Sequence, residues 1–432
     1  MDAQAYLEIA RRTGITIGSA DGVTIWQGPT AGLRKAAGPM AGKRIGVLVA
    51  SEFSDFQAYY IASYASEFGA HVDFLLVDWV TWKFTRPYVK DKGVRGMWGM
   101  GVDPIPVLGT DRHSYRSLKA ADPADYDGVV ALGGHSADVM VTEPEVKAFI
   151  RGVAEGGGVV GSIGGGAIPL ISAGVLDGKA VTGNRVVAFM LEKVGKLQDA
   201  PVVRDGRVVT ARDTVDTPAF VRALCGAFDP GFVAARRGVL AGKRVLIISG
   251  EDFEDIELVV PVMEYLYRGA EVRLATFPAP KRSRPPLLGL DVVQGNFGVS
   301  VPFQEIPDSA YEIVPLAEVA LDTFDVVQIP GAFCPWNMVE AGEPVTFLRQ
   351  AAAAGKVVAA ICHGPIPLAA ADLVAGKRIA GFAACKDAVT IMGGTYDGNW
   401  SAVVDGAIVT GRVPSDIPEF LDAVTYRVLG GM

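Results

Sequence analysis

The residue best suited to chemistry in this 432-residue chain is Cys362. It ends the apolar run Val357-Val358-Ala359-Ala360-Ile361 and opens His363-Gly364-Pro365-Ile366-Pro367-Leu368-Ala369-Ala370. A buried strand that stops at a thiol, with glycine two residues on and a helix beginning, places sulfur on a sharp strand-to-helix turn. Unpaired N–H groups at the helix start would favour thiolate over thiol and face the position where an oxyanion forms. A free cysteine is otherwise most often a small buried hydrophobe, and the neighbouring His, Gly and strand set Cys362 apart. Cys225 and Cys385 carry no motif and read as core. Cys334 reads as a buried bystander or a second thiol.

The elements that must position this turn come twice. Gly42 to Val49 returns as Gly242 to Ser249, two hundred residues on. Asp127-Gly128-Val129-Val130 returns as Asp325-Val326-Val327-Gln328, and Ala167-Ile168-Pro169-Leu170 as Pro365-Ile366-Pro367-Leu368. Asp205-Gly206 with Pro218 and Phe220 becomes Asp405-Gly406 with Pro418 and Phe420. Blocks in register over this length mark a duplication. Within the second copy, strand signals at 244–249, 271–277, 324–329 and 356–361 alternate with helical stretches from Glu257 to Leu266 and from Pro344 to Ala353. Strand–helix–strand order predicts an α/β protein with parallel sheets and helices on both faces. The expected organisation is an N-terminal extension (1–40), a first domain (41–228), a linker (229–241) and a second domain (242–432). The extension reads as an arm packing across the body.

The segment Ala360-Ile361-Cys362-His363-Gly364-Pro365 with Val374-Ala375-Gly376-Lys377-Arg378 resembles the ThiJ/PfpI family of the class I glutamine amidotransferase-like superfamily. So do Glu251-Asp252-Phe253-Glu254-Asp255-Ile256-Glu257-Leu258 before Pro261, and the tail from Asp405-Gly406 to Pro418-Glu419-Phe420. The resemblance covers both repeats and implies two tandem flavodoxin-like three-layer sandwiches. It implies Cys362 as nucleophile, Glu257 as the carboxyl that hydrogen-bonds sulfur and shuttles protons, and His363 as a general acid/base. It also implies that the Gly331 N–H joins that of His363 in an oxyanion hole. The chain departs from the family's Gly-Gly with Gly331-Ala332, followed by Phe333-Cys334-Pro335-Trp336-Asn337. Ala332, Trp336 and Asn337 are expected around the substrate. Glu251, Glu254 and Asp255 read as loop or helix-entry acids.

The first copy has Gly164-Gly165-Gly166 where the second has Cys362-His363-Gly364, and Gln57 where it has Glu257. Glycine has no side chain and an amide exchanges no proton near neutral pH, so this half is expected to be inactive. Scaffold is its expected role: a pseudo-dimer partner within one chain.

A formal net charge of −8 argues against nucleic acid or an anionic membrane as partner. Lys281, Arg282 and Arg284 lie among prolines and read as a solvated loop. The N-terminus shows no secretory signal, and no apolar run spans a bilayer. Four cysteines without CxxC spacing read as reduced thiols of a cytoplasmic protein. Four histidines without ligand spacing give no reason to expect a metal, and the family resemblance implies no cofactor. The expected function is a cysteine-nucleophile enzyme acting on a small carbonyl-type electrophile, of glyoxalase, hydratase or lyase type. The alternatives are a peptidase or amidase, which needs an acid to orient His363, and a redox-sensing or chaperone-like binding protein. A homo-oligomer is compatible with each, and the stretch from Pro278 to Pro307 is expected to fold over the site.

Overall fold

The computed structural model describes residues 1–27, 38–80, 94–98, 113–278 and 292–431. The basic cluster at Lys281, Arg282 and Arg284 lies outside them, as does 279–291 of the stretch expected over the site. The chain divides into two compact units, Ala31–Ala234 and Met1–Thr30 with Ala235–Met432.

In the first unit a seven-stranded sheet runs in the order Val202–Asp205, Val208–Ala211, Val159–Ile163, Gly128–Ala131, Arg44–Val49, His71–Leu76, His113–Ser117. All neighbours are parallel except the first pair, a hairpin at one edge. Continuous apolar runs such as Ile45 to Val49 are buried throughout, as befits strands covered on both faces.

The second unit repeats this plan. From one edge to the other, its strands Ala402–Asp405, Ile408–Gly411, Val357–Ile361, Val326–Ile329, Arg244–Ile248, Glu271–Thr276 and Glu312–Pro315 follow the same order. Both units are thus flavodoxin-like α/β sandwiches with mostly parallel sheets. The antiparallel edge hairpin is a feature that strand–helix alternation could not announce, because it follows the last crossover.

The sequence leaves open where the N-terminal arm goes. Residues 1–27 complete the second unit's sheet. The strand Val23–Gln27 pairs antiparallel with Ala402–Asp405, and Thr16–Ala20 pairs with it in turn, giving nine strands. The helix Ala3–Arg12 starts at Asp2, whose side chain accepts the Ala5 N–H. It buries Ala3, Tyr6, Leu7 and Ala10. Trp26 is fully buried against the Tyr426 ring, with centroids 5.7 Å apart. Beneath the helix, the Tyr6 hydroxyl donates to Asp422 at 2.7 Å and accepts from Arg268 at 2.7 Å. Arg236, in the stretch expected as linker, also pairs with Asp422 and reaches the Thr13 hydroxyl at 3.1 Å. Two guanidiniums hold the Asp422 carboxyl down to about 2 against the upward push of burial.

Candidate active site

Cys362 follows the central strand Val357–Ile361 with φ of 59°, a left-handed conformation that few side-chain-bearing residues adopt. Its N–H donates to the Gly411 carbonyl at 3.1 Å, and its own carbonyl accepts the Phe382 N–H at 2.8 Å. The Cys385 thiol donates to the same carbonyl at 3.3 Å. These bonds over-determine the turn and hold the side chain at the carboxyl end of the sheet, where such folds place their sites.

Around the sulfur stand three groups. His363 Nδ1 is 3.3 Å from Sγ. The Ala332 N–H approaches Sγ, from a residue that is itself left-handed at φ 58°. Glu257 comes from the first turn of the helix Asp255–Tyr267, fully buried. The Gly331 N–H donates to Glu257 Oε2 at 2.6 Å. Gly331 is where thiol and carboxyl meet. A Cβ on it would lie 2.5 Å from Glu257 Oε2, 2.6 Å from Cys362 Cβ and 3.0 Å from Sγ. Gly331→Ala is therefore expected to slow turnover by about 10²-fold through displacement of the reacting groups. It should also cost ~1–3 kcal/mol of stability. Steady-state kinetics and urea melts check both.

The protonation of this pocket is set by burial. It raises the Glu257 carboxyl to about 8, against the pull of the Gly331 N–H and the Cys362 thiol, which favour the carboxylate. Glu257 Oε1 is buried with no hydrogen-bond partner among the described residues. Burial also pushes the Cys362 thiol well above its usual value, with Glu257 and Glu254 adding to the push and the Ala332 N–H opposing it. The helix-start effect expected for Cys362 does not win. The following helix Pro365–Ala370 has only six residues, and its prolines at 365 and 367 carry no N–H. With Glu257 protonated, its share of the push on sulfur vanishes, so thiol and carboxyl hold protons as a pair. Burial lowers His363, keeping the imidazole neutral near pH 7.

A stability signature follows. Between the ordinary glutamate value near 4.5 and about 8, the folded protein keeps a proton on Glu257 that the unfolded chain has released. Stability should therefore fall as pH rises through that window and level off above it. Glu257→Gln is expected to flatten this slope in urea melts at pH 5, 6.5 and 8.5. Glu254, also raised by burial, leaves a residual slope of the same sign.

The structure redistributes several expected roles. The Gly331 N–H, expected in the oxyanion hole, is taken by Glu257, and Ala332 supplies the donor nearest the sulfur. Asn337 Nδ2 donates to the Glu251 carbonyl at 3.0 Å, so this amide fastens a loop. Trp336 is 48% exposed. Cys334 accepts the Gly250 N–H, and burial lifts its thiol to about 12. Cys385 likewise is lifted to about 12 by burial. Asp255 is a clamp: its carboxylate accepts the N–H groups of Phe297 and Val299 at 2.9 and 2.7 Å.

Glu254 stands at the helix entry, as the sequence suggested, but sequence reasoning did not bring it or Phe382 to the site. Glu254 is 5% exposed and one helical turn before Glu257. That i, i+3 spacing of two acids was the available signal. Phe382 packs on His363 with ring centroids 4.9 Å apart. Its position faces Asn184 of the first repeat, a difference visible only by comparing the copies.

In the first unit the same backbone survives without the chemistry. Gly164 keeps φ at 52°, Gly134 at 82° and Glu52 at 64°, matching Cys362, Ala332 and Asp252. Gln57 Oε1 accepts the Gly133 N–H at 2.8 Å, as Glu257 does from Gly331. Its Nε2 donates to the Thr214 hydroxyl at 2.9 Å, where the second repeat has Pro414. A Cβ on Gly164 would lie 3.1 Å from the Asn184 amide nitrogen. The amide is satisfied at both ends, and Asn184 crowds the place a nucleophile would need.

Two stretches, 43–227 and 243–426, each match the sequence profile of the DJ-1/PfpI family. Protein DJ-1 homolog D of Arabidopsis thaliana is 26% identical over 69% of this chain and 77% of its own length. A deglycase of Pyrococcus abyssi is 34% identical over 40% of this chain and 92% of its own. Deglycase PfpI of Pyrococcus furiosus is 30% identical over the same shares.

Proposed function

Because this chain belongs to the DJ-1/PfpI family, with one match in each half, we propose that its second unit is a cofactor-independent enzyme in which Cys362 adds to a small carbonyl electrophile. The observation that carries this reading is the pairing across Gly331 of a thiol with a buried carboxyl that burial lifts to about 8. Such a group can both give and take a proton. Relatives named deglycases support an enzyme.

A 2-oxoaldehyde illustrates the chemistry. Sγ, having passed its proton to Glu257 or His363, attacks the aldehyde carbon. The C–S bond forms as the carbonyl π pair moves to oxygen, which takes a proton and gives a hemithioacetal. The N–H groups of Ala332 and His363 are the backbone donors closest to that oxygen. Glu257 as carboxylate removes the proton on the former aldehyde carbon and returns it to the adjacent carbon, while the hemithioacetal hydroxyl gives up its proton and the neighbouring ketone oxygen takes one, with His363 as relay, so that a 2-hydroxy thioester forms. The resulting thioester is hydrolysed by water, restoring the thiol. The net change is addition of one water to give a 2-hydroxy acid, with no external oxidant or reductant.

A hydrolase of Cys–His–acid type is less well supported. Among the described residues no carboxylate hydrogen-bonds His363. The deciding experiment incubates the purified full chain with methylglyoxal, following 2-hydroxy acid by chromatography and Cys362 by peptide mass mapping. Product that forms equally well after Cys362 is blocked would overturn the reading.

A further inference from the structure

Four aromatic side chains are more than about a third exposed among the described residues: Phe189, Phe333, Trp336 and Phe382. Three of them lie on the two segments whose backbone N–H groups bond Cys362. Phe333, 61% exposed, directly follows the residue whose N–H approaches Sγ. Trp336 stands one turn on, its N–H bonded to the Phe333 carbonyl at 3.0 Å. Phe382, 40% exposed, is tied to the Cys362 carbonyl by its own N–H and lies against His363. Large exposed aromatics cost solvation free energy, and their grouping at a reactive centre points to a bound group that covers them.

Charge supports the same conclusion. The segments 331–339, 362–370 and 379–385, which meet at the sulfur, contain no Asp, Glu, Lys or Arg. The acids that act on Cys362 are the buried Glu254 and Glu257, which burial raises towards the protonated form and which offer an anion no positive partner. A phosphorylated or carboxylated substrate finds no cationic side chain on these three segments.

We propose that Phe333, Trp336 and Phe382 form an aromatic collar that makes the Cys362 site selective for uncharged electrophiles bearing a flat aryl group. This rests on Cys362 being the reacting residue. The aryl ring stacks between the collar rings while the carbonyl carbon points at Sγ, so the collar sets which carbonyls reach the thiol.

The test uses two haloketones that alkylate thiols whether or not the enzyme turns over. In each, Sγ displaces chloride and forms a C–S bond. Phenacyl chloride and chloroacetone are compared on the full chain, with each Cys362 rate divided by the rate with free glutathione. The normalised ratio is expected to favour the phenacyl reagent by about tenfold or more, the usual worth of an apolar contact of this size. It should fall towards unity in Phe333→Ala/Trp336→Ala and be retained in Trp336→Phe. A wild-type ratio near unity, or one unchanged in the double alanine variant, overturns the collar. If the ratio holds while methylglyoxal and phenylglyoxal both go unconverted, the collar stands and the proposed reaction fails. Absence of labelling at Cys362 by either reagent overturns both.

Discussion

Cys362→Ala is expected to bring turnover down to the uncatalysed rate while the protein stays folded. The chemical loss is complete because the three remaining cysteines cannot substitute. Cys225, Cys334 and Cys385 are all 0% exposed, against 7% for Cys362. The structural cost is small because one sulfur atom leaves the rim of a pocket, about 1 kcal/mol or less by analogy with removing one buried methylene. The first repeat supplies a natural control, since Gly164 holds the same turn with no side chain at all. Cys362→Gly should accordingly be at least as stable as the alanine variant, because glycine accepts a left-handed φ without strain. Circular dichroism melts with progress curves for both variants would check this. A variant that unfolds would mean the thiol itself holds the turn, and one that stays active would remove Cys362 from the mechanism.

A chain lacking residues 1–27 is expected to lose the folded second unit, and all activity with it. Three consequences coincide. The strand Ala402–Asp405 would become an open sheet edge, a template for aggregation. Burial of Tyr6, Leu7 and Trp26 would be lost, roughly 4.5–9 kcal/mol at ~1.5–3 kcal/mol per side chain. That rivals the whole stability of an ordinary domain, about 5–15 kcal/mol. Arg268 and Asp422 would each lose the Tyr6 hydroxyl from a fully buried ion network, where removing a partner is strongly destabilising. Size-exclusion chromatography of the truncated chain, with and without added peptide 1–27, measures the effect. Soluble monomer with normal activity would show that the hairpin and helix are ornamental.

The same residues show how far sequence reaches. The duplication, the alternating strand and helix signals and the family are all legible, because each is written in local pattern: hydrophobic runs, glycine stops and a thiol at a strand end. The absence of a thiol and a carboxyl at the matching positions of the first half is legible too, since Gly164 and Gln57 stand there. Glu254 and Phe382 are not legible alone, because what matters for them is which side chains burial brings against the sulfur.

What the sequence determined by itself is the identity of the candidate groups: a thiol, a carboxyl and an imidazole that stand together in one half and have no counterpart in the other. Tertiary structure decided their state and their surroundings. The helix after Cys362 is too short and too rich in proline to stabilise a thiolate, so desolvation sets the proton distribution instead. It also decided that Gly331 lends its N–H to Glu257 and that residues 1–27 belong to the second unit's sheet. Both depend on long-range pairing, since a hydrogen-bond donor or an open strand edge takes whichever partner the folded chain brings within reach, however distant in sequence.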